Sequence, residues 1–126
     1  MNDEELLRYS RQIMLPQVDI IGQEKLRQAS VLIVGAGGLG SPAAMYLAAA
    51  GVGSISITDD DKVDLSNLQR QILHTSLDID KEKTTSARET LTALNPYIEI
   101  ICFSRRLTSI ELEAQAGKAD VVLDCS

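Results

Sequence analysis

Glycines follow an apolar run in a spacing that is typical of phosphate-binding loops. Residues 31–34 are Val-Leu-Ile-Val, Gly35 ends this run, and Gly37, Gly38 and Gly40 come next. Glycine allows a tight turn and a close approach of the backbone to a phosphate, and the first amides of the helix that follows favour negative charge. The pattern predicts a nucleotide site. The alternative is a glycine-rich corner that binds no ligand.

An acidic side chain stands where such a fold binds ribose. Residues 54–58 alternate between polar and apolar side chains, as a strand does, and Asp59 ends the run 19 residues after Gly40. A carboxylate at this place accepts hydrogen bonds from ribose hydroxyls. The alternative for residues 59–61, all aspartate, is a solvated acidic turn, which fits Asp60 better than Asp59.

A long loop follows the second predicted strand. Residues 60–80 separate Asp59 from the next predicted helix, and a loop of this length in a compact domain is usually functional. Within it we expect a short helix that is capped by Ser66 and anchored on the core by Leu65, Leu68, Ile72 and Leu73. The side chains left to face the nucleotide crevice are those of Asn67, Arg70 and Gln71. The alternative for Arg70 is a solvated surface arginine.

Lys83 departs from a local rule. We predict a helix over residues 81–94 with Asp80 as its N-cap, so that Lys83 is the third helical residue. Glutamate is favoured there, and the helix dipole disfavours a cation. Such departures tend to mark functional sites, and a lysine here can bind a phosphate as a point charge. The alternative is a tolerated surface lysine.

The remaining pattern alternates strands and helices after a helical arm. The arm, residues 1–29, contains predicted helices at 3–14 and 19–28. Residues 30–126 form the core, with strands at 30–35, 54–59, 97–103 and 120–125 and helices at 38–50, 81–94 and 109–117. Asn95-Pro96 ends the second core helix, and a capping box of Thr108 and Glu111 begins the third.

This alternation predicts an α/β fold. Strands joined by helices imply a parallel sheet with right-handed crossovers, and the order of elements matches a Rossmann-like βαβαβαβ unit with strand order 3-2-1-4. A length of 126 residues fits one domain.

Composition limits the partners. The net charge is −6, which argues against a nucleic-acid or anionic membrane surface. We find no signal peptide and no apolar run of membrane-spanning length, and we expect a cytoplasmic protein. Cys102 and Cys125 lie on separate predicted strands and indicate buried thiols rather than a disulfide or a metal site. His74 is the only histidine, so no metal ligands are predicted.

Short motifs occur in an order that resembles one protein family. The chain is similar over essentially its whole length to the ThiF/MoeB/HesA proteins, which are ubiquitin-activating-enzyme-like adenylyltransferases. It looks most like the thiazole-branch ThiF members, and the molybdopterin branch stays open. The motifs are Arg8 to Ile13, Gly22-Gln23, Val31 to Gly40, Asp59 to Asp61, Leu65 to Gln71, Lys83, and Leu123 to Ser126.

The resemblance implies a reaction and its partners. Such enzymes bind ATP and magnesium, and they transfer AMP to the C-terminal Gly-Gly carboxylate of a ubiquitin-like sulfur-carrier protein, releasing pyrophosphate. The activated carrier then accepts sulfur for thiazole or molybdopterin synthesis. The resemblance also implies a homodimer.

The resemblance assigns residue roles too. It places Gly38 against the nucleotide, Asp59 on the ribose, and Arg11 in the active site of the neighbouring subunit. It places Asn67, Arg70 and Lys83 around the phosphates. Because a carboxylate attacks an anionic nucleotide, positioning and charge neutralisation are the main catalytic tasks.

The chain departs from the family in length. Members are about twice as long, and their pattern D-C-[TS]-D-N continues past Asp124-Cys125-Ser126 to a second aspartate that handles magnesium. Many members also bind structural zinc through later C-x-x-C pairs. We therefore expect the N-terminal half of a longer adenylyltransferase, truncated before the second half of the fold and inactive alone.

Two other functions share part of this pattern. An NAD-dependent oxidoreductase has the same glycine loop and ribose acid, but hydride transfer needs no set of residues such as Asn67, Arg70 and Lys83. A non-catalytic nucleotide-binding or dimerisation module fits the missing aspartate, whereas Arg70 and Lys83 argue against it.

Overall fold

The computed structural model describes residues 1–126, which fold into one parallel sheet flanked by helices. The helices are α1 Asp3–Arg8, α2 Ser10–Ile13, α3 Asp19–Gln28, α4 Gly40–Ala50, α5 Lys83–Leu94 and α6 Ser109–Lys118, and the strands are β1 Ser30–Val34, β2 Ser54–Thr58, β3 Glu99–Phe103 and β4 Val121–Asp124. Two 3₁₀ turns, Leu65–Asn67 and Ser76–Asp78, lie between β2 and α5. No helix has both the length and the apolar composition needed to cross a membrane.

The sheet confirms the predicted topology. Its strand order is β3-β2-β1-β4, and all neighbouring strands are parallel. Val34 of β1 is paired with Thr58 of β2 and with Asp124 of β4, and Thr58 is paired with Phe103 of β3. Because the strands end in register, the residues that follow them meet at one edge of the sheet.

The core lies around the two central strands. Val31, Leu32 and Ile33 of β1 are all buried, as are Ile55 and Ile57 of β2. A strand that is covered on both faces reads as a continuous apolar run, which is why β1 is so apolar. From the helices, the core takes Ala44 and Ala48 of α4 and Ala87 and Leu91 of α5.

The N-terminal arm differs from the prediction of one helix over residues 3–14. The chain breaks at Tyr9 into α1 and α2, and the Tyr9 ring is 1% exposed. Its hydroxyl accepts a hydrogen bond of 2.7 Å from Asn95 Nδ2, and the same Nδ2 donates to the carbonyl of Ala48 at 2.9 Å. The burial of Tyr9 against the core explains the break.

Two glutamines also attach the arm to the end of α4. Gln12 Nε2 and Gln23 Nε2 each donate to the carbonyl of Ala50 at 3.0 Å, and Gln12 Nε2 donates to Gln23 Oε1 at 2.7 Å. Gly51 ends α4 with φ +91° and leaves room for these side chains, since a Cβ there would lie 2.7 Å from the Tyr9 ring. The arm is therefore held at the C-terminal end of α4.

The start of α5 is a second correction. The helix begins at Lys83, with Glu82 at the N-cap, and Asp80 lies outside it with φ +73°. The preceding residues pair with the long loop instead, because Asp80 N–H donates to the Val63 carbonyl at 2.9 Å and Lys81 accepts from Val63 N–H at 2.8 Å. Lys83 is thus the first residue of the helix rather than the third.

The long loop is also capped differently. Asp64, not Ser66, caps the first 3₁₀ turn, since its carboxylate accepts from both the N–H and the hydroxyl of Ser66. Leu73 is buried as expected and Leu68 is half-buried, whereas Leu65 and Ile72 are largely exposed. The Thr108–Glu111 capping box and the end of α5 before Asn95 are confirmed.

The two cysteines are half-buried free thiols. Burial raises the pKa of the thiols of Cys102 and Cys125. Cys102 donates to the carbonyl of Thr84 at 3.2 Å, which fits a packing role.

Gly51→Ala tests the attachment of the arm. We expect it to lower the free energy of unfolding by about 2–4 kcal/mol, because a non-glycine residue at positive φ is strained and the Cβ overlaps the Tyr9 ring. The control is Gly117→Ala in α6, where a Cβ meets no atom within 4 Å and helix propensity predicts a gain of about 0.5–1 kcal/mol. Urea unfolding measures both; equal effects would contradict the proposed attachment.

Candidate functional site

A cleft of about 1000 Å³ opens at the edge where the strands end. It brings together seven of the ten residues selected from the sequence: Gly35, Gly37, Gly38, Asp59, Arg70, Gln71 and Lys83. Gly40, Asn67 and Arg11 do not line it. The other side chains of its walls include those of Thr58, Asp60, Asp61, Arg106, Leu107, Leu112, Cys125 and Ser126.

The glycines of the loop serve two purposes. Gly35 has φ +102°, and a Cβ on it would lie 2.6 Å from the carbonyl oxygen of Cys125. A Cβ on Gly40 would lie 1.9 Å from the carbonyl oxygen of Gly35, so these two glycines allow the loop to close on itself. A Cβ on Gly38 meets nothing within 4 Å, and its backbone is exposed to the cleft. The loop therefore offers open backbone to a ligand at Gly38.

Asp59 connects the glycine loop to the end of β2. Its Oδ2 accepts a hydrogen bond of 2.8 Å from Ala36 N–H, and its Oδ1 accepts one of 2.8 Å from Asp61 N–H. A carboxylate oxygen has two lone pairs, so each oxygen keeps one acceptor position for a ribose hydroxyl. The acid that was selected for ligand binding thus also stabilises the loop, which its spacing did not predict.

Lys83 provides a buried positive charge at the cleft. Its side chain is 7% exposed, and Nζ lies 3.6 Å from Oδ2 of Asp61, whose own side chain is 70% exposed. Lys83 N–H also donates to the Asp61 carbonyl at 3.0 Å, which fixes the start of α5 against the acidic turn. A buried ammonium group is unfavourable unless it is well paired, so this position suits an anionic ligand.

Arg70 and Gln71 reach the cleft from the long loop. Arg70 is exposed, and its Nη1 donates to the Ser66 carbonyl at 3.2 Å, which leaves most of its N–H donors free. Gln71 is 5% exposed, and its Oε1 is the one buried side-chain oxygen or nitrogen in the chain without a hydrogen-bond partner. An unpartnered buried acceptor is unfavourable, and its place in the wall fits a cleft that is completed by a polar ligand.

Asn67 and Arg11 lie outside the cleft. The Asn67 carbonyl accepts from the N–H groups of Arg70 and Gln71, so its backbone shapes the turn that presents them. Arg11 is exposed on α2 and forms no hydrogen bond or ion pair within the chain. A role for Arg11 in a neighbouring subunit stays a prediction.

The acidic residues at the mouth of the cleft already have partners. Carboxylate oxygens of Asp59, Asp60 and Asp61 lie within 4.8 Å of one another. Asp59 accepts from two backbone amides, Asp61 faces Lys83, and Asp60 lies 3.9 Å from Nε of Arg106. Asp124 accepts from the N–H and hydroxyl of Ser126, and these bonds lower its pKa. Two of these contacts are long ion pairs of exposed carboxylates, at 3.6 Å and 3.9 Å, and Asp59 keeps free acceptor positions, so the pairings do not exclude a cation at this cluster.

Sequence reasoning missed the wall formed by the β3–α6 loop. Arg106 there is largely exposed, and Leu107 and Leu112 add apolar surface to the cleft. The available signal was topological: β3 is next to β2, so the segment after β3 must lie beside Asp59. The cleft thus combines apolar side chains, which suit a nucleotide base, with the cations Arg70 and Lys83, which suit phosphates.

Comparison with known sequences matches this chain to one family and to adenylyltransferases. Residues 9–126 match the model of the ThiF family. All 126 residues align with the sulfur carrier protein ThiS adenylyltransferase of Escherichia coli at 53% identity, covering 50% of that protein. They align with the molybdopterin-synthase adenylyltransferase of the same organism at 49% identity, covering 51%. The chain thus spans about half the length of these relatives.

Solved structures share the fold. The Escherichia coli tRNA N6-threonylcarbamoyladenosine dehydratase TcdA, in complex with ATP, superposes with a TM-score of 0.90 at 25% identity, over 99% of this chain and 51% of that one. The Escherichia coli MccB structure with ATP gives a TM-score of 0.83 at 28% identity, over 94% of this chain and 36% of that one.

Asp59→Asn tests the connection between β2 and the glycine loop. An amide cannot accept at both positions, so one backbone N–H loses a charged acceptor, and we expect a loss of about 1.5–3 kcal/mol in the free energy of unfolding. The control is Asp60→Asn, which removes an exposed carboxylate and should change it by less than about 0.5 kcal/mol. Urea denaturation of both variants decides; similar losses would contradict the connection.

Proposed function

Because this chain belongs to the ThiF family, we propose that it is the nucleotide-binding part of an ATP-dependent adenylyltransferase that acts on a ubiquitin-like sulfur carrier. Its relatives at 53% and 49% identity are adenylyltransferases. Since the chain spans half of each, the activity, the carrier and the partners of a whole enzyme are part of the proposal. In it, residues 1–29 are a helical arm and residues 30–126 the nucleotide-binding core.

The observation that carries the proposal is the charge arrangement of the cleft. The open backbone at Gly38 shares this cleft with the side chains of Arg70 and Lys83, and Asp59 lies at its side. In the reaction, a carrier carboxylate oxygen bonds to the α-phosphorus of ATP, and the bond from that phosphorus to the pyrophosphate oxygen breaks. Both reactants are anions, so preorganised cations lower the barrier.

Each group has a place in this proposal. The loop amides and the cations Arg70 and Lys83 bind the phosphates, Asp59 uses its two free acceptor positions for the ribose, and the apolar wall at Leu107 and Leu112 contacts the base. Gln71 completes the wall beside the loop. Arg11 acts in the cleft of a second copy in a cytoplasmic homodimer.

Magnesium and zinc are implied by the resemblance alone. The resemblance implies magnesium with ATP, and it places the aspartate that handles magnesium just after Asp124-Cys125-Ser126 in the family pattern. We propose that a magnesium ligand, like the structural zinc site of many family members, belongs to the half of the relatives that this chain does not span.

An NAD-dependent oxidoreductase is the main rival. It would use the glycine loop and Asp59 in the same way, but it does not explain why the buried Lys83 and Arg70 line the same cleft. Thermal unfolding with ATP or with NAD separates the two, since each ligand raises the melting temperature of a protein that binds it. A non-catalytic nucleotide-binding or dimerisation module would also bind ATP, and an adenylation assay distinguishes it.

The proposal allows two types of sulfur carrier, one for thiazole synthesis and one for molybdopterin synthesis. The thiazole and molybdopterin relatives differ by only four percentage points in identity, 53% against 49%, which does not separate the branches. Adenylation assays with each type of Gly-Gly carrier would decide between them.

Lys83→Met tests the phosphate role. Methionine has a similar length without the charge, so the free energy of unfolding should stay the same or rise, while the Kd for ATP rises about 10- to 100-fold. The control is Lys62→Met in the long loop before α5, where the lysine is exposed and forms no ion pair. Titration calorimetry measures both variants. Equal affinities for ATP would contradict the assignment of Lys83.

A polypeptide of only these 126 residues tests whether this half binds ATP without catalysing adenylation. We expect ATP binding without carrier-dependent exchange of labelled pyrophosphate into ATP, because the proposed carrier and magnesium ligands belong to the other half of the relatives. The comparison is a protein of the relatives' full length with the same first 126 residues. Comparable exchange rates would show that this half suffices.

A further inference from the structure

His74 is buried between the glycine loop and helix α5. Its ring is 4% exposed, Nε2 lies 3.0 Å from the carbonyl oxygen of Ala36, and Nδ1 lies 2.7 Å from Oγ of Ser86. The residue lies three positions after Gln71 in the long loop. One side chain thus contacts both the loop that opens to the cleft and the helix that begins with Lys83.

The contacts define the state of the ring. A carbonyl oxygen can only accept, so Nε2 must carry a proton and donate it to Ala36. Burial lowers the pKa of His74, and the nearby Lys83 charge acts in the same direction, while the Ala36 carbonyl, Asp78 and Asp59 oppose it. The lowered pKa favours the neutral ring, and in a neutral ring with its proton on Nε2 the Nδ1 atom accepts from the Ser86 hydroxyl.

Both polar backbone groups of Ala36 are held by side chains. Its N–H donates to Asp59 at 2.8 Å, and its carbonyl accepts from His74. Ser41 Oγ also donates to this carbonyl, but at 3.4 Å, which is a long hydrogen bond. Gly37 and Gly38 follow directly, so the orientation of the Ala36 carbonyl sets the direction of the Gly37 amide in the same peptide unit.

We propose that His74 is a positioning residue for the nucleotide: by donating from Nε2 to the Ala36 carbonyl, it keeps the amides of the glycine loop directed into the cleft. This inference rests on the proposed nucleotide binding. His74 does not line the cleft, so it acts through Ala36 rather than by contact with the ligand. A mere filler of space would need the ring's volume but not a donor at Nε2.

The tautomer can be measured directly, because the chain has a single histidine. Long-range ¹H–¹⁵N correlation spectra of the untagged chain at pH 7.5 should show a protonated Nε2 and an unprotonated Nδ1. A ring protonated only at Nδ1, or at both nitrogens, would overturn the proposal. This measurement uses the unaltered chain and does not depend on any variant being able to fold.

A matched pair of variants tests the effect on binding. The amide nitrogen of glutamine reaches the position of Nε2, whereas that of asparagine reaches only the position of Nδ1. We expect His74→Gln to bind ATP within about threefold of the unaltered chain, and His74→Asn to bind about tenfold more weakly, since it leaves the buried Ala36 carbonyl with only the long hydrogen bond from Ser41. Equal Kd values for the two folded variants would contradict the positioning role.

The design separates this inference from the proposed function. A chain without measurable ATP binding overturns both. A chain that binds ATP while the two variants bind alike overturns only the role of His74. The carbonyl ¹³C shift of Ala36 gives a third readout: it should stay in place in His74→Gln and move in His74→Asn.

Discussion

The hydrogen bond from Ala36 N–H to the Asp59 carboxylate is the interaction on which the cleft depends. Parallel pairing of Val34 with Thr58 places the ends of β1 and β2 side by side, so the next residues of both strands must share one edge. The bond then holds the loop after β1 against the acid after β2. Since Asp59 uses one acceptor position per oxygen for this purpose, structure and ligand binding can share a single carboxylate.

The cleft contains positively charged side chains although the chain as a whole is acidic. The net charge is −6, yet the cleft is lined by Arg70 and the buried Lys83. Burying an ammonium group with only a 3.6 Å contact to an exposed carboxylate costs stability, and an apolar residue at this position would avoid that cost. Under the proposed function, an anionic nucleotide would offset this cost on binding, so overall charge is a poor guide to a local site.

Strong local patterns predicted the sheet, the glycine loop and most of the cleft. The apolar run at 31–34, the alternating run at 54–58 and the acid that follows it are recognisable from sequence alone, and the strand order follows from connection rules. The boundaries of the helices were less predictable, because contacts between residues distant in sequence decide them. Asn95 is hydrogen-bonded to Tyr9, where the arm breaks into two helices. Val63 pairs with the residues before α5, so this helix begins only at Lys83. The roles of Arg106 and His74 depend on how loops fold over one another, which spacing alone does not encode.

The attachment of the arm limits where Arg11 can act. Its neighbour Gln12 is hydrogen-bonded to Ala50 at the C-terminal end of α4, whereas the glycine loop leads into the other end of this helix at Gly40. Eleven helical residues rise by about 16 Å, which exceeds the reach of an arginine side chain. Arg11 therefore cannot serve the cleft of its own chain while the arm stays attached. If its guanidinium contacts the nucleotide, the cleft must belong to a second copy, and the attached arm then limits how two copies can approach.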